Sequence, residues 1–210
     1  MNRRDVLHQL GALTLLAGTS GFALGQKKET FRTLEPAVPT SVDGKIEVLE
    51  FFHYGCPHCR DFEPLVTRWL KKVSADVVFS RVPAVWGKPL EGLAQLYYTL
   101  VVTKQLERLN AEVFAAVQDQ QIPLNIEETL RIWVKEKGLD VPSFMDTYNS
   151  FGVQAQVRRA KQLGRSYKID GVPTMAVAGR FVTSASLAGS HEAALREVDS
   201  LVARVRSRVG

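Results

Sequence analysis

Two cysteines, Cys56 and Cys59, stand three positions apart in the run Phe51-Phe52-His53-Tyr54-Gly55-Cys56-Pro57-His58-Cys59, and the chain of 210 residues has no others. A lone C-x-x-C pair has two chemistries open to it: cycling between dithiol and disulfide, or supplying two soft ligands to a metal. His53 and His58 lie in the same short run and would complete four ligands. All four would then have to converge from one turn with no second ligand pair, so redox chemistry is the better reading and no metal is expected. A structural staple fits poorly as well, because cysteines this close in sequence close too short a loop to constrain the unfolded chain.

Redox exchange needs the two thiols in different surroundings, and the flanking pattern supplies them. Ile46 to Phe52 is a short apolar run bounded by Asp43-Gly44 and Gly55, which predicts a buried strand. Beyond it Phe62, Leu65, Val66, Trp69, Leu70 and Val73 recur at three- and four-residue steps, the spacing of an amphipathic helix. Cys56 therefore falls at or just before the first helical turn. Pro57 suits that turn, since its missing N–H would have been unpaired there. A helix N-terminus carries free N–H groups and a partial positive charge, and it favours the thiolate, the reactive form of cysteine. Cys56 is thus the candidate nucleophile. Cys59, on the same helical face, is the candidate resolving thiol. His58, when protonated, adds a second positive charge beside Cys56.

Phe51-Phe52 followed by Cys56-Pro57-His58-Cys59 resembles the active-site segment of the DsbA-like thiol:disulfide oxidoreductases, thioredoxin-superfamily proteins of the bacterial periplasm. With Gly171-Val172-Pro173-Thr174 further on, the resemblance covers most of the mature chain. It implies an α/β, thioredoxin-like fold with an inserted α-helical subdomain, and no cofactor. It implies that a Cys56–Cys59 disulfide is donated to reduced exported proteins, and that a DsbB-like, quinone-linked membrane protein restores it. Pro173 is by resemblance a cis proline facing the cysteines, holding the Val172 backbone where an extended substrate can pair with it. Glu50 interrupts the apolar strand and reads either as an exposed edge position or, by resemblance, as a buried acid that accepts or relays the proton of Cys59. Relatives often pair that acid with a lysine on the neighbouring strand. Here the corresponding residue is Arg81, which can hold Glu50 ionised but cannot itself pass a proton.

The rest of the chain places these residues in one domain with an insertion. Residues 1–25 read as an export signal, with Arg3-Arg4, an apolar stretch from Leu10 to Ala17, and small residues at Ala23-Leu24-Gly25. Cleavage there gives a mature start near Gln26; an uncleaved anchor is the other reading, and the arginine pair fits a twin-arginine signal as well as an ordinary basic start. Residues 26–88 form the first part of the thioredoxin-like domain: a short edge strand at Phe31–Glu35, the strand and helix of the cysteine pair with Pro64 inside it, and a parallel strand from Val77 to Val82. Residues 89–168 are helical in pattern, with a capping box expected at Asn125 and Glu128 and helices expected at Ser143–Phe151 and Val153–Tyr167. Residues 169–210 complete the domain with a hairpin turning at Gly179-Arg180 and a final helix capped by Ser190. Trp69, Trp86, Trp133 and the tyrosines are expected to pack in the core or within the helical subdomain. A formal net charge of +5 is a mild excess that does not indicate nucleic-acid binding, and a monomer is expected.

Two other functions remain open from the sequence. One is a reductase or isomerase on the same fold, although Pro57-His58 differs from the Gly-Pro of reducing thioredoxins. The other is a non-enzymatic exported protein that uses the helical block to hold a peptide, or the cysteines to hold a metal.

Overall fold

The computed structural model describes residues 29–209, and the expected signal at 1–25 lies outside them. The strands are β1 (Arg32–Thr33), β2 (Ile46–Phe52), β3 (Val77–Pro83), β4 (Thr174–Val177) and β5 (Phe181–Ser184). The helices are α1 (Pro57–Leu70), α2 (Lys88–Val102), α3 (Leu106–Gln118), α4 (Glu127–Glu136), α5 (Val141–Tyr148), α6 (Phe151–Ser166), a single turn α7 (Ala185–Ala188) and α8 (His191–Val209). The strands form one mixed sheet in the order β1-β5-β4-β2-β3. β2 runs parallel to β3 and antiparallel to β4, so it lies inside the sheet.

Every residue of β2 is buried, which accounts for a nearly continuous apolar run instead of an alternating one. Ile46 and Val48 face Phe62, Val66 and Trp69 of α1 and Leu195, Val198 and Leu201 of α8. Leu49 and Phe51, pointing the other way, meet Ala160, Tyr167 and Ile169 at the end of α6. A third cluster joins the end of β2 to the insertion: Phe52, Tyr54, Cys56 and Cys59 pack with Leu96, Tyr97, Leu109, Phe114 and Trp133 of α2–α4. The cysteines thus sit where the helical block closes over the edge of the sheet.

Five helices, α2–α6, separate β3 from β4, and the expected edge strand, parallel pair, hairpin and final helix are all present. The helix of the cysteine pair runs on through Pro64. Both central residues of the hairpin turn, Ala178 and Gly179, have positive φ. A Cβ on Gly179 would come within 1.9 Å of the Val38 carbonyl, so only glycine fits.

Several local expectations need correction. α4 is preceded by Ile126 at the N-cap with no side-chain capping bond, so the box at Asn125 and Glu128 does not form. The Asn125 backbone instead lies against Gly92 of α2, close enough that a Cβ there would touch its carbonyl at 2.8 Å. α5 ends at Tyr148, and Phe151 begins α6, because Asp140 and Ser150 accept bonds from Ser143 N and Val153 N and set the two starts. Trp69 and Trp133 are buried as expected, but Trp86 is 52% exposed: it stands in the loop after β3, where its indole donates to the Ile169 carbonyl.

Candidate active site

Cys56 is the N-cap of α1, with an extended backbone, and Pro57 follows as the first helical residue. The turn that delivers it is closed by a bond from Cys56 N to the His53 carbonyl, 3.0 Å. Its own carbonyl accepts from Cys59 N at 3.1 Å and Arg60 N at 3.3 Å, the first bonds of the helix. No acidic residue occupies the first turn, which leaves the positive end of the helix to the sulfur. Both cysteines are free thiols, Cys59 more deeply buried than Cys56.

The two thiols are driven in opposite directions. Cys56 is lowered from 9.0 to about 6, chiefly by the hydrogen bond it receives from the Cys59 thiol. The backbone N–H groups of Cys59 and His58 and the charge of His58 add to this, against the opposing effect of burial. Cys59 is pushed far up, first by donating that bond, then by burial and by the negative charges of Cys56 and Glu50. One thiol is therefore ready as a thiolate while its neighbour keeps its proton.

The Val172–Pro173 peptide is cis, and Cys56 Sγ lies 3.4 Å from the Val172 carbonyl. These residues, which come from the far end of the sequence, stand directly against the Cys56 sulfur. His58 is exposed, with its ring edge-on to His191 at 6.2 Å, and His191 packs in turn on Phe62 at 5.1 Å. A cleft of about 300 Å³ runs beside them, lined by His58, Val172, Pro173, Ser184, Ser186 and His191. A larger hollow of about 410 Å³, around Arg81, Tyr98 and Arg159, has no cysteine in its wall. The His53 ring stands edge-on to Trp86 at 5.9 Å, and its buried Nδ1 is without a partner. Among the described residues no three His, Cys, Asp or Glu side chains gather as a metal site.

Glu50 is only 1% exposed, which removes the edge-strand reading. It lies opposite Arg81 in the β2–β3 register, and Arg81 Nε donates to its Oε2 at 2.9 Å. Even so, burial pushes the carboxyl up to about 7, with the Arg81 charge acting the other way and Glu63 adding to the rise. Arg81 Nη2 also donates to Glu63 Oε1, again at 2.9 Å, so one guanidinium is shared by two acids.

Sequence reasoning missed Glu63, His191 and Gln118. Glu63 follows Cys59 by four residues, so helical spacing alone could have placed it on the face of the cysteines. His191 and Gln118 had no such signal. The Gln118 amide nitrogen donates to the Tyr54 carbonyl at 2.7 Å and to the Cys56 carbonyl at 3.1 Å.

A five-stranded mixed sheet, a dithiol at the N-terminus of its first long helix, and a proline loop against the outer sulfur define a thioredoxin-fold dithiol protein, here with a helical block inserted. Residues 47–194 match the model of the DSBA-like thioredoxin domain. The thiol:disulfide interchange protein DsbA of Bordetella parapertussis is 41% identical over 204 residues, covering 94% of this chain and 96% of that protein. The crystal structure of Pseudomonas aeruginosa DsbA superimposes with a TM-score of 0.83 at 36% identity, over 86% of this chain and 94% of that one. The oxidoreductase NmDsbA1 from Neisseria meningitidis gives 0.77 at 29% identity, over 86% and 93%. The chain belongs to the family of DsbA-like thioredoxin-domain proteins.

Proposed function

We propose that the protein is a periplasmic thiol:disulfide oxidoreductase that donates a Cys56–Cys59 disulfide to reduced cysteines of exported proteins. The observation that carries this reading is the pairing of a thiol stabilised as thiolate at a helix N-terminus with a buried, protonated partner behind it. A substrate thiolate attacks Cys56 Sγ, the Cys56–Cys59 bond breaks, and Cys59 leaves with the electron pair and takes up a proton. A second substrate thiolate then attacks the substrate sulfur of the mixed disulfide. Cys56 departs as a stable thiolate, the substrate holds a new disulfide, and both enzyme cysteines are reduced.

The direction follows from linkage. Whatever stabilises the Cys56 thiolate stabilises the reduced protein, and a low pKa also makes Cys56 a good leaving group. Val172 and Pro173 present backbone beside the nucleophile for an extended substrate segment. Pro57 and His58 set the helix start and its charge. Glu50 supplies or accepts the Cys59 proton, and Arg81 keeps it in place without passing a proton itself. Residues 26–88 and 169–210 carry the chemistry and residues 89–168 cover it, after removal of a signal at 1–25. The protein acts as a monomer, and a DsbB-like, quinone-linked membrane protein reoxidises it.

Equilibration of the mature protein with a glutathione buffer tests this reading. A potential near about −120 mV, the known value for DsbA itself, supports a dithiol oxidant. One near about −270 mV, that of thioredoxin, would replace it with a reductase.

A further inference from the structure

The helical block does more than cover the cysteines. Asn110, Phe114 and Gln118 stand four residues apart along α3 and so form one stripe on that helix. The stripe lies along Phe52, Tyr54 and Cys56, alternate residues of the segment that leaves β2. Asn110 Oδ1 accepts from the Tyr54 hydroxyl at 2.9 Å, a buried bond. The Phe114 ring packs on Tyr54 at 4.9 Å and on Phe52 at 6.3 Å between centroids. Gln118 closes the row by donating both amide hydrogens to the Tyr54 and Cys56 carbonyls. Tyr54 is therefore gripped at its hydroxyl and at its carbonyl by the same helix.

The Cys56 carbonyl is the first acceptor of α1, shared by Cys59 N, Arg60 N and Gln118. Its direction sets the N-cap conformation. The N-cap conformation in turn aims the Cys56 side chain at the N–H groups of His58 and Cys59 and at the Val172 carbonyl. We propose that Gln118 is a positioning residue for disulfide exchange: its amide fixes the turn from Tyr54 to Cys56 and thereby holds the nucleophilic sulfur in the anion-stabilising end of α1. The helical insertion then contributes to the chemistry through one side chain, and not only to substrate contact. This rests on the assignment of Cys56 as the nucleophile.

Asp119, the next residue, pairs with Arg60 and joins the same two helices without touching the turn. It separates the two explanations, simple docking of α3 on α1 and control of the carbonyls. The experiment titrates the Cys56 thiolate by its ultraviolet absorbance in the reduced full-length mature protein, in wild type, Gln118→Met, Gln118→Ala and Asp119→Asn. Met preserves the length of the side chain without a donor, and Ala removes the amide altogether; neither adds a charge near the sulfur. Both Gln118 variants are expected to titrate about one unit higher than wild type, about a tenfold loss of thiolate at fixed acid pH, and Asp119→Asn to match wild type. If Met fails to fold, Ala carries the test. An unchanged titration in a folded Gln118 variant, or an equal rise in Asp119→Asn, overturns the proposal. A wild-type Cys56 that titrates at the ordinary thiol value would instead overturn the nucleophile assignment on which it rests.

Discussion

The separation of the two thiols makes the redox equilibrium depend on pH in a specific way. Cys56 is lowered from 9.0 to about 6, whereas Cys59 keeps its proton throughout the neutral range. Reduction therefore takes up two protons below about pH 6 and one above it. The thiolate contribution to the reduced state is present above the lowered value and is lost as pH falls through it. At about pH 7 the Cys56 shift favours the reduced form by roughly 1.4 kcal/mol relative to an ordinary thiol, which is about 30 mV toward oxidising power. The full difference, about 4 kcal/mol, develops only near pH 9. The assay is the equilibrium with reduced and oxidised glutathione as a function of pH. The constant for protein reduction is expected to be flat below about pH 6 and to rise about tenfold per unit until glutathione itself ionises near 8.5. A constant that stays flat to about pH 8 would refute the reasoning, since it would mean that Cys56 is not a thiolate in the neutral range.

The cysteine roles predict opposite failures: Cys56→Ser abolishes oxidation of a reduced peptide, whereas Cys59→Ser accumulates mixed disulfides visible on non-reducing gels. Glu50→Gln removes a buried carboxyl that titrates near 7, so the rate of disulfide donation slows by about tenfold or more and its pH profile loses the inflection near that value. The same variant tests stability. Because the Glu50 value is raised by folding, its favourable contribution is complete at acid pH and fades as pH climbs through about 7, so urea midpoints of the variant lose that decline. Arg81→Met takes away the guanidinium that Glu50 and Glu63 share; Glu50 then holds its proton at neutral pH, and a loss of about 1–3 kcal/mol in urea denaturation is expected from the broken hydrogen bonds.

The parts of the site that were legible in the sequence are the local ones. A seven-residue apolar strand, a turn and an amphipathic helix fix where Cys56 sits, and the strand pairing brings Arg81 opposite Glu50 by register alone. The hairpin and the final cap at Ser190 were equally readable because turn and cap chemistry is short-range. Gln118 and His191 were not readable. Each is a polar residue on an amphipathic helix, where the pattern says only that the side chain is not core, and the turn or ring it meets lies far away in sequence. Trp86 and Asn125 misled for the same reason in reverse. An aromatic ring suggested burial, and an Asn–Glu spacing suggested a cap, but tertiary packing assigned one to the surface and the other to a backbone contact with α2.

The sheet order has a consequence for how the protein is made. β2 finds β3 nearby, but its other neighbour, β4, lies more than 120 residues further along the chain, and β1 pairs only with β5 beyond it. Pairings of such sequence separation form slowly, because the long loop must be closed before the contacts repay it. A chain released from its N-terminus exposes the Cys56 turn and the helical block first. The Val172 carbonyl that faces the sulfur arrives with the last quarter of the molecule. Cys56 is thus built before the Val172–Pro173 segment that faces it, and that segment leads directly into β4, the strand that joins the two halves of the sheet.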